Sequence, residues 1–322
     1  MRLEFGDDLA GGRLALPDEP SEKLAIVGVS GSGKSYLAGR LAEEWMVAGR
    51  RVAVLDPVGV WFGLRTGADG DPDAGLPVRV YGGQRMDEQL PQPREAAERI
   101  ALAQDWCAVY DLSAVPFETV HWWTAALLNH IGELGPRIQV PLHLILEEAP
   151  VFAPQTGSLS RFQRDCKAAV AQCARVYRNF GVGMTVITQR AAAVSKDVFT
   201  QCGTMLAMRV AAKLDRRALM DWCASNAPGI DLDKELEKLS VASAGHGVVW
   251  SPTWAPDVSG NCFRTLARST YHPDPRRLAE NRAVRLRTVQ PGPPVRNCES
   301  LAEKLRRGAV RFLGLAQGSA TV

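Results

Sequence analysis

The sequence predicts an α/β fold in which a mostly parallel sheet carries helices on both faces. Short, nearly unbroken apolar runs recur along it, as strands buried on both sides require. Stretches of helical spacing separate these runs, so strand and helix alternate. One strand-to-helix junction is a glycine-rich loop of fixed pattern, Gly28-Val29-Ser30-Gly31-Ser32-Gly33-Lys34-Ser35.

That loop fits G-x-x-x-x-G-K-[ST] at every fixed position, in the context its chemistry needs. Leu24 to Val27 reads as the buried strand before it. Ser35 to Val47 reads as the helix after it, with Leu37, Leu41 and Trp45 along one face. The glycines let amide N–H groups turn inward around a phosphate chain, and the new helix aims its positive end at the same place. Gly28, Ser30, Gly31, Ser32, Gly33, Lys34, Ser35 and Tyr36 are the expected nucleotide contacts. Lys34 would reach the β- and γ-phosphates, and the Ser35 hydroxyl would take one position on Mg²⁺.

The other elements follow in order. Within the lead-in of residues 1–22, Arg13 to Pro17 reads as an edge strand, where proline is tolerated. Arg51 to Asp56 is a second core strand, stopped by Pro57. A glycine- and aspartate-rich loop (67–75) leads to a short strand, Val78 to Tyr81. A helix (Glu95 to Gln104), a strand (Cys107 to Leu112) and a long helix (Phe117 to Leu134) come next. In the last of these, His121-Trp122-Trp123 reads as core packing with one half-exposed ring. Val140 to Leu146 is a strand. Ser160 to Phe180 is a helix with Phe162, Cys166, Val170 and Cys173 on one stripe. Strands at Gly183 to Thr188 and Thr204 to Arg209, a helix at Asp215 to Ser225, and a terminal hairpin of Gly245 to Ser251 with Cys262 to Leu266 complete the domain, placed at residues 1–275. Residues 276–322 form a basic tail. There Ser300 to Leu315 reads as a short helix, either docked on its own domain or free to meet DNA or a neighbouring subunit.

Composition narrows the classes. The chain has 322 residues, 46% hydrophobic and 23% charged, which is ordinary for a globular protein. A net charge of +3 argues against non-specific nucleic-acid binding over the whole surface, while leaving room for a local basic patch. No apolar run reaches the roughly 18 residues of a membrane span. The acidic N-terminus does not read as a signal peptide, so a cytoplasmic protein is expected. The seven cysteines lack C-x-x-C spacing and read as free, mostly buried thiols.

A phosphate loop needs carboxylates across the sheet. The strand Leu142-His143-Leu144-Ile145-Leu146 ends in Glu147-Glu148, at the carboxyl edge where open α/β sheets bind ligands. Strand alternation would turn the two acids opposite ways. Glu147 would hold Mg²⁺, and Glu148 would accept a proton from an attacking water. The doublet thus favours NTP hydrolysis over phosphorylation of a small molecule. Gln189, at the tip of the Gly183 to Thr188 strand, either senses the γ-phosphate or is a polar strand end facing solvent.

Taken together, these motifs resemble the FtsK–HerA superfamily of DNA-pumping ATPases, and more closely its HerA branch. The resemblance rests on GVSGSGKS; on VLDP followed by Trp61 and Gly63-Leu64-Arg65; on Tyr110-Asp111-Leu112-Ser113; on LILEEAPVFAP; on Arg178-Asn179-Phe180-Gly181 running into ITQR; and on TMLAMRV followed by Lys213-Leu214-Asp215-Arg216-Arg217. It runs from about Leu24 to Leu219, and more weakly to Ser251. It implies a RecA-like P-loop ATPase, typically a hexamer, with ATP between subunits and an arginine supplied by the neighbour. Arg209 and Arg217 match the arginine-bearing segment, with Arg178 third. Asp56 is read as structural. Two departures are Ala149-Pro150 after the acids, where the family usually has alanine-histidine, and the absence of room before Gly28 for HerA's N-terminal barrel domain. The second bears on docking of a nuclease or other effector partner.

The first functional expectation is therefore an ATP-driven ring that moves DNA, with Arg65, Arg85, Arg190 and Lys196 available to grip phosphates. A different class is an ATP-dependent assembly switch or scaffold that presents a partner and pumps little DNA. A small-molecule kinase is the third.

Overall fold

A computed structural model describes residues 2–288, apart from 20, 103–104, 139–140, 158, 227–235, 238 and 275–276. Strands β1 (Arg2–Asp8), β2 (Arg13–Pro17), β3 (Lys23–Val27), β4 (Arg51–Asp56), β5 (Arg79–Tyr81), β6 (Cys107–Asp111), β7 (Leu142–Leu146), β8 (Val182–Thr188), β9 (Thr204–Ala207), β10 (His246–Trp250) and β11 (Cys262–Thr265) form one sheet. Its order is β2-β1-β11-β10-β9-β3-β8-β7-β4-β6-β5. From β9 to β5 every neighbouring pair is parallel. From β9 to β2 every pair is antiparallel. The helices are α1 (Lys34–Val47), α2 (Pro93–Ala101), α3 (Phe117–Leu134), α4 (Arg161–Val176), α5 (Lys196–Phe199), α6 (Lys213–Asn226) and α7 (Leu278–Ala283).

The sheet divides two cores. On one face α1, with Leu37, Leu41 and Trp45, packs on Leu24, Ile26, Val52 and Val54, alongside Leu3 and Phe5 of β1. On the other, α2, α3, α4 and α6 pack on Ala25, Val27, Leu55, Leu144 and Val186. The parallel strands are buried at every residue, because helices or their equivalents cover both sides. The fold is the expected α/β class. The N-terminal strand was not expected: β1 lies within the sequence read as lead-in. It pairs with β2 through a tight hairpin and with β11 on its other side, and its alternating burial marks a half-exposed antiparallel strand. The strand at Arg13–Pro17 is the sheet edge, as read from Pro17.

The predicted helix at Ser160 to Phe180 starts on a capping box between Ser160 and Gln163. Its α-helical part stops at Val176. A 3₁₀ turn, Tyr177–Phe180, then ends at Gly181, whose φ of 73° lies in the left-handed region. Trp123 is buried, and Trp122 is 45% exposed, as the aromatic pair predicted. The described cysteines are all free, and all but the half-buried Cys262 are buried. Cys298 and the predicted helix at Ser300 to Leu315 lie outside the described residues. The described segment past the predicted domain limit returns onto the domain: the Arg287 N–H donates to the Arg65 carbonyl at 2.9 Å, and its guanidinium to that of Gly75 at 2.8 Å. No helix among the described residues is long and apolar enough to cross a membrane.

Candidate active site

The phosphate loop leaves β3 at the middle of the sheet, between β8 and β9. Three backbone bonds hold it to both neighbours: Gly28 N–H to the Thr188 carbonyl, Met208 N–H to that of Val27, and Val29 N–H to that of Arg209. Gly28 lies so close to its surroundings that a Cβ there would stand 2.6 Å from Ser32 Oγ and 3.2 Å from the Arg209 carbonyl. Gly33, just before α1, has φ 103°, a conformation that side chains resist. Ser30 and Gly31 are exposed at the mouth, while Ser32 is buried. The Ser32 hydroxyl has no hydrogen-bond partner. A buried polar oxygen without a protein partner in this loop fits a site that takes a polar ligand.

Lys34 is buried, and its Nζ donates to the Val29 carbonyl at 3.1 Å. Burial lowers its pKa, and Glu148 and then Glu147 oppose that shift. Ser35 lies in the first turn of α1, and its hydroxyl donates to Glu147 Oε1 at 3.0 Å. This contact joins residues far apart in sequence and brings the loop to the predicted acid. The second oxygen of Glu147 is also taken: the Trp61 indole N–H donates to Oε2 at 2.9 Å. Burial pushes the Glu147 carboxyl up to about 7 and Asp56 adds to the rise, while the bonds from Trp61 and Ser35 oppose it.

Asp56 ends β4, beside Glu147. It is fully buried and accepts four backbone N–H bonds, from Val58 and Gly59 on Oδ1 and from Val60 and Trp61 on Oδ2. Its carboxyl is pushed up to about 6 by burial, against the pull of the amide bonds. A carboxylate so enclosed shapes its own loop and has no lone pair to spare for a ligand, which agrees with a structural reading.

The two acids are separated by a different device from the expected strand alternation. β7 ends at Leu146, before either acid. The Glu147 N–H still bonds to β4, donating to the Leu55 carbonyl at 3.1 Å. Glu148 then turns into the left-handed region (φ 51°) and caps a 3₁₀ turn, Ala149–Val151. It is the one non-glycine residue with positive φ among the described residues. Strain of this kind gathers at functional sites. Pro150 sits in the first turn of that short helix, where its missing N–H costs nothing, so the alanine-proline departure is accommodated locally. The turn sends Glu148 toward β8. There Gln189, exposed at the strand tip, donates from its side-chain amide to Glu148 Oε1.

The remaining predicted residues fall as follows. Tyr36 turns away from the loop mouth. Its hydroxyl accepts from the Arg268 N–H at 2.9 Å, and its ring meets His272 edge-on. Arg209 is half-buried, and its carbonyl abuts the phosphate loop of its own chain. Arg217 is exposed on α6, and neither it nor Arg209 makes an ion pair among the described residues. Arg178 pairs with Glu22 of its own chain at 3.1 Å. Two of the four residues expected to grip DNA are committed elsewhere. Arg65 is buried against Asp87 at 2.6 Å. Arg85 lies over the Phe62 ring and donates to the Val284 and Asn281 carbonyls. Arg190 and Lys196 are exposed.

The residues fit Mg²⁺. The hydroxyl of Ser35 and the carboxylate of Glu147 are hard oxygen donors within one hydrogen bond of each other. Mg²⁺ in nucleotide sites keeps waters and phosphate oxygens as its other ligands, so a complete protein cage is not needed. None is found among the described residues.

No family model matches the chain. It is 31% identical over 84 residues to the DNA double-strand break repair helicase HerA of Pyrococcus furiosus, a stretch that covers 26% of this chain and 14% of that protein. It is 31% identical over 117 residues to the probable DNA double-strand break repair helicase HerA of Methanocaldococcus jannaschii, covering 36% and 22%. The matched stretches are thus under a quarter of those relatives' length. Among solved structures, the chain overlays VirB4 of Thermoanaerobacter pseudethanolicus with a TM-score of 0.52 at 13% identity, over 86% of this chain and 98% of that one. It overlays the genome packaging NTPase B204 of Sulfolobus turreted icosahedral virus 2, in complex with sulfate, with a TM-score of 0.51 at 14% identity, over 77% and 98%. The overlays show a shared RecA-like fold. By sequence, the chain carries a P-loop motif and is similar over part of its length to part of the HerA helicases, at low identity.

Proposed function

We propose that this chain hydrolyses ATP with Mg²⁺ and works in a ring of like subunits, a hexamer by family resemblance, to move DNA. The observation that carries the catalytic part is the convergence of Lys34, Ser35, Glu147, Glu148 and Gln189 at one sheet edge, joined through the Ser35–Glu147 and Gln189–Glu148 hydrogen bonds. The motor part rests on the sequence relation to HerA helicases.

Lys34 and the loop amides bind the triphosphate. Ser35 and Glu147 hold Mg²⁺, which neutralises charge on the phosphate oxygens when bound. Glu148 takes the proton of the attacking water at a carboxylate oxygen. Gln189 donates to Glu148 and so orients the base, and its place at the strand tip suits it to sense the nucleotide. An arginine from the neighbouring subunit, Arg209 or Arg217, balances charge on the transferred phosphoryl group.

The test measures ATP turnover, with and without double- and single-stranded DNA at low salt, together with mass in solution. Assembly with ATP, turnover raised by DNA, and loss of both binding and turnover in Lys34→Ala are expected. A monomer whose turnover ignores DNA would refute the motor reading. Assembly with ATP but without turnover, with function unchanged in Glu148→Gln, would favour the assembly switch instead.

A further inference from the structure

We infer that Trp61 is a positioning residue for the metal site, its indole N–H fixing the Glu147 carboxylate from the side opposite Ser35. The inference rests on the reading that Glu147 serves Mg²⁺. It assigns a role to the short element after Asp56, whose residues stand out in the sequence without an evident task.

The element is built from the strand end outward. β4 and β7 are parallel neighbours, with Leu55 opposite Leu146, so Asp56 and Glu147 leave the sheet side by side. Two acids so placed repel one another, and Asp56 contributes to the raised pKa of Glu147. The four amides of residues 58–61 enclose Asp56 and draw the chain into a tight bracket around it. Gly59, at φ 80°, makes the bend, and a Cβ there would stand 2.9 Å from Ser113 Oγ. The bracket ends at Trp61, the first residue of the 3₁₀ turn Trp61–Arg65.

That turn is clamped from behind. Arg65 pairs with Asp87, and its carbonyl receives the Arg287 N–H. Gly63 abuts the backbone at Tyr271, where a Cβ would stand 2.3 Å from the carbonyl oxygen. Trp61 itself is 3% exposed, so bulk solvent does not compete for its indole N–H. Its indole is a donor only, never an acceptor, and does not ionise in the working range. It therefore fixes a carboxylate without competing for a cation, which histidine could do, and without adding charge, which lysine or arginine would. With Oε2 held by Trp61 and Oε1 facing Ser35, the carboxylate plane is set before metal arrives. Partners of this kind are worth roughly 10- to 100-fold in metal affinity.

The test compares wild type with Trp61→Phe, which keeps an aromatic ring and removes the N–H. Affinity for a non-hydrolysable ATP analogue is first measured in EDTA, then Mn²⁺ is titrated into the analogue complex. Unchanged analogue affinity with Mn²⁺ binding weakened about tenfold or more supports the inference. Equal Mn²⁺ affinity overturns it. In turnover, the half-saturating Mg²⁺ should rise by about the same factor, with the saturated rate kept within about threefold. Loss of turnover at every Mg²⁺ concentration overturns it in favour of a purely structural tryptophan. If wild type binds no nucleotide, the site reading fails separately and visibly. Where Trp61→Phe does not fold, indole hydrogen exchange in metal-free protein decides. One of the eight tryptophan indoles must exchange at least about tenfold faster in Glu147→Ala than in wild type, and unchanged exchange at all of them overturns the inference.

Discussion

Glu147→Gln separates the charge of the buried acid from its shape. Glutamine keeps an oxygen for the Trp61 indole and offers its amide hydrogens to Ser35 Oγ, so both contacts at Glu147 survive in form. In metal-free protein, burial and Asp56 lift the Glu147 carboxyl from 4.5 to about 7. The folded state therefore binds a proton between these values that the unfolded chain has released. Because the folded pKa is the higher, stability is fully present below about pH 4.5 and is lost as pH rises through 7, at up to about 1.4 kcal/mol per pH unit. The accumulated loss has an upper bound of about 3 kcal/mol. Glu147→Gln carries no such proton, so its stability relative to wild type should climb by up to about 3 kcal/mol between pH 4.5 and 7.5. Urea unfolding of both proteins in EDTA, across that range, measures the difference. Parallel curves would refute the account of a carboxylate held near neutrality by burial and a neighbouring acid.

Other outcomes follow from the same geometry. Glu148→Gln should bind ATP and lose turnover by about 100-fold or more, read as a trapped nucleotide in a single-turnover assay. Gly28→Ala places a methyl group against Ser32 Oγ and the Arg209 carbonyl, and should cost about 1–3 kcal/mol of stability and weaken nucleotide binding, measured by urea unfolding and analogue titration. Arg209→Ala and Arg217→Ala should each keep ATP affinity, and the one that acts across subunits should lose turnover by about 1,000-fold. Mixing that variant with Lys34→Ala should restore part of the rate, because some interfaces then join an intact loop to an intact arginine.

Much of the fold was legible because its signals are local. The parallel strands β3, β4, β6, β7 and β8 are mostly apolar and buried at every residue, as two-sided burial requires. The long helix α3 carries helical periodicity over its whole length, and its predicted limits agree with the structure. The N-terminal strand β1 was illegible for the opposite reason. Arg2-Leu3-Glu4-Phe5 is a short alternating stretch that gains strand character only from β2 and β11 beside it.

The amino-acid sequence by itself determined the phosphate loop, since glycine spacing, lysine and hydroxyl are chemical requirements written in one contiguous stretch. It also determined that an apolar strand ends in two acids. Tertiary structure alone decided how those acids differ. Glu147 receives Ser35 and Trp61 from distant parts of the chain, and Glu148 is turned to Gln189 by one left-handed residue. It also decided which basic residues are free: Arg65 and Arg85 are occupied by Asp87 and by backbone carbonyls of the 281–284 segment. Hydrogen-bond partners across a sheet are fixed by which strands lie side by side, and that order is a property of the folded chain rather than of any stretch of it.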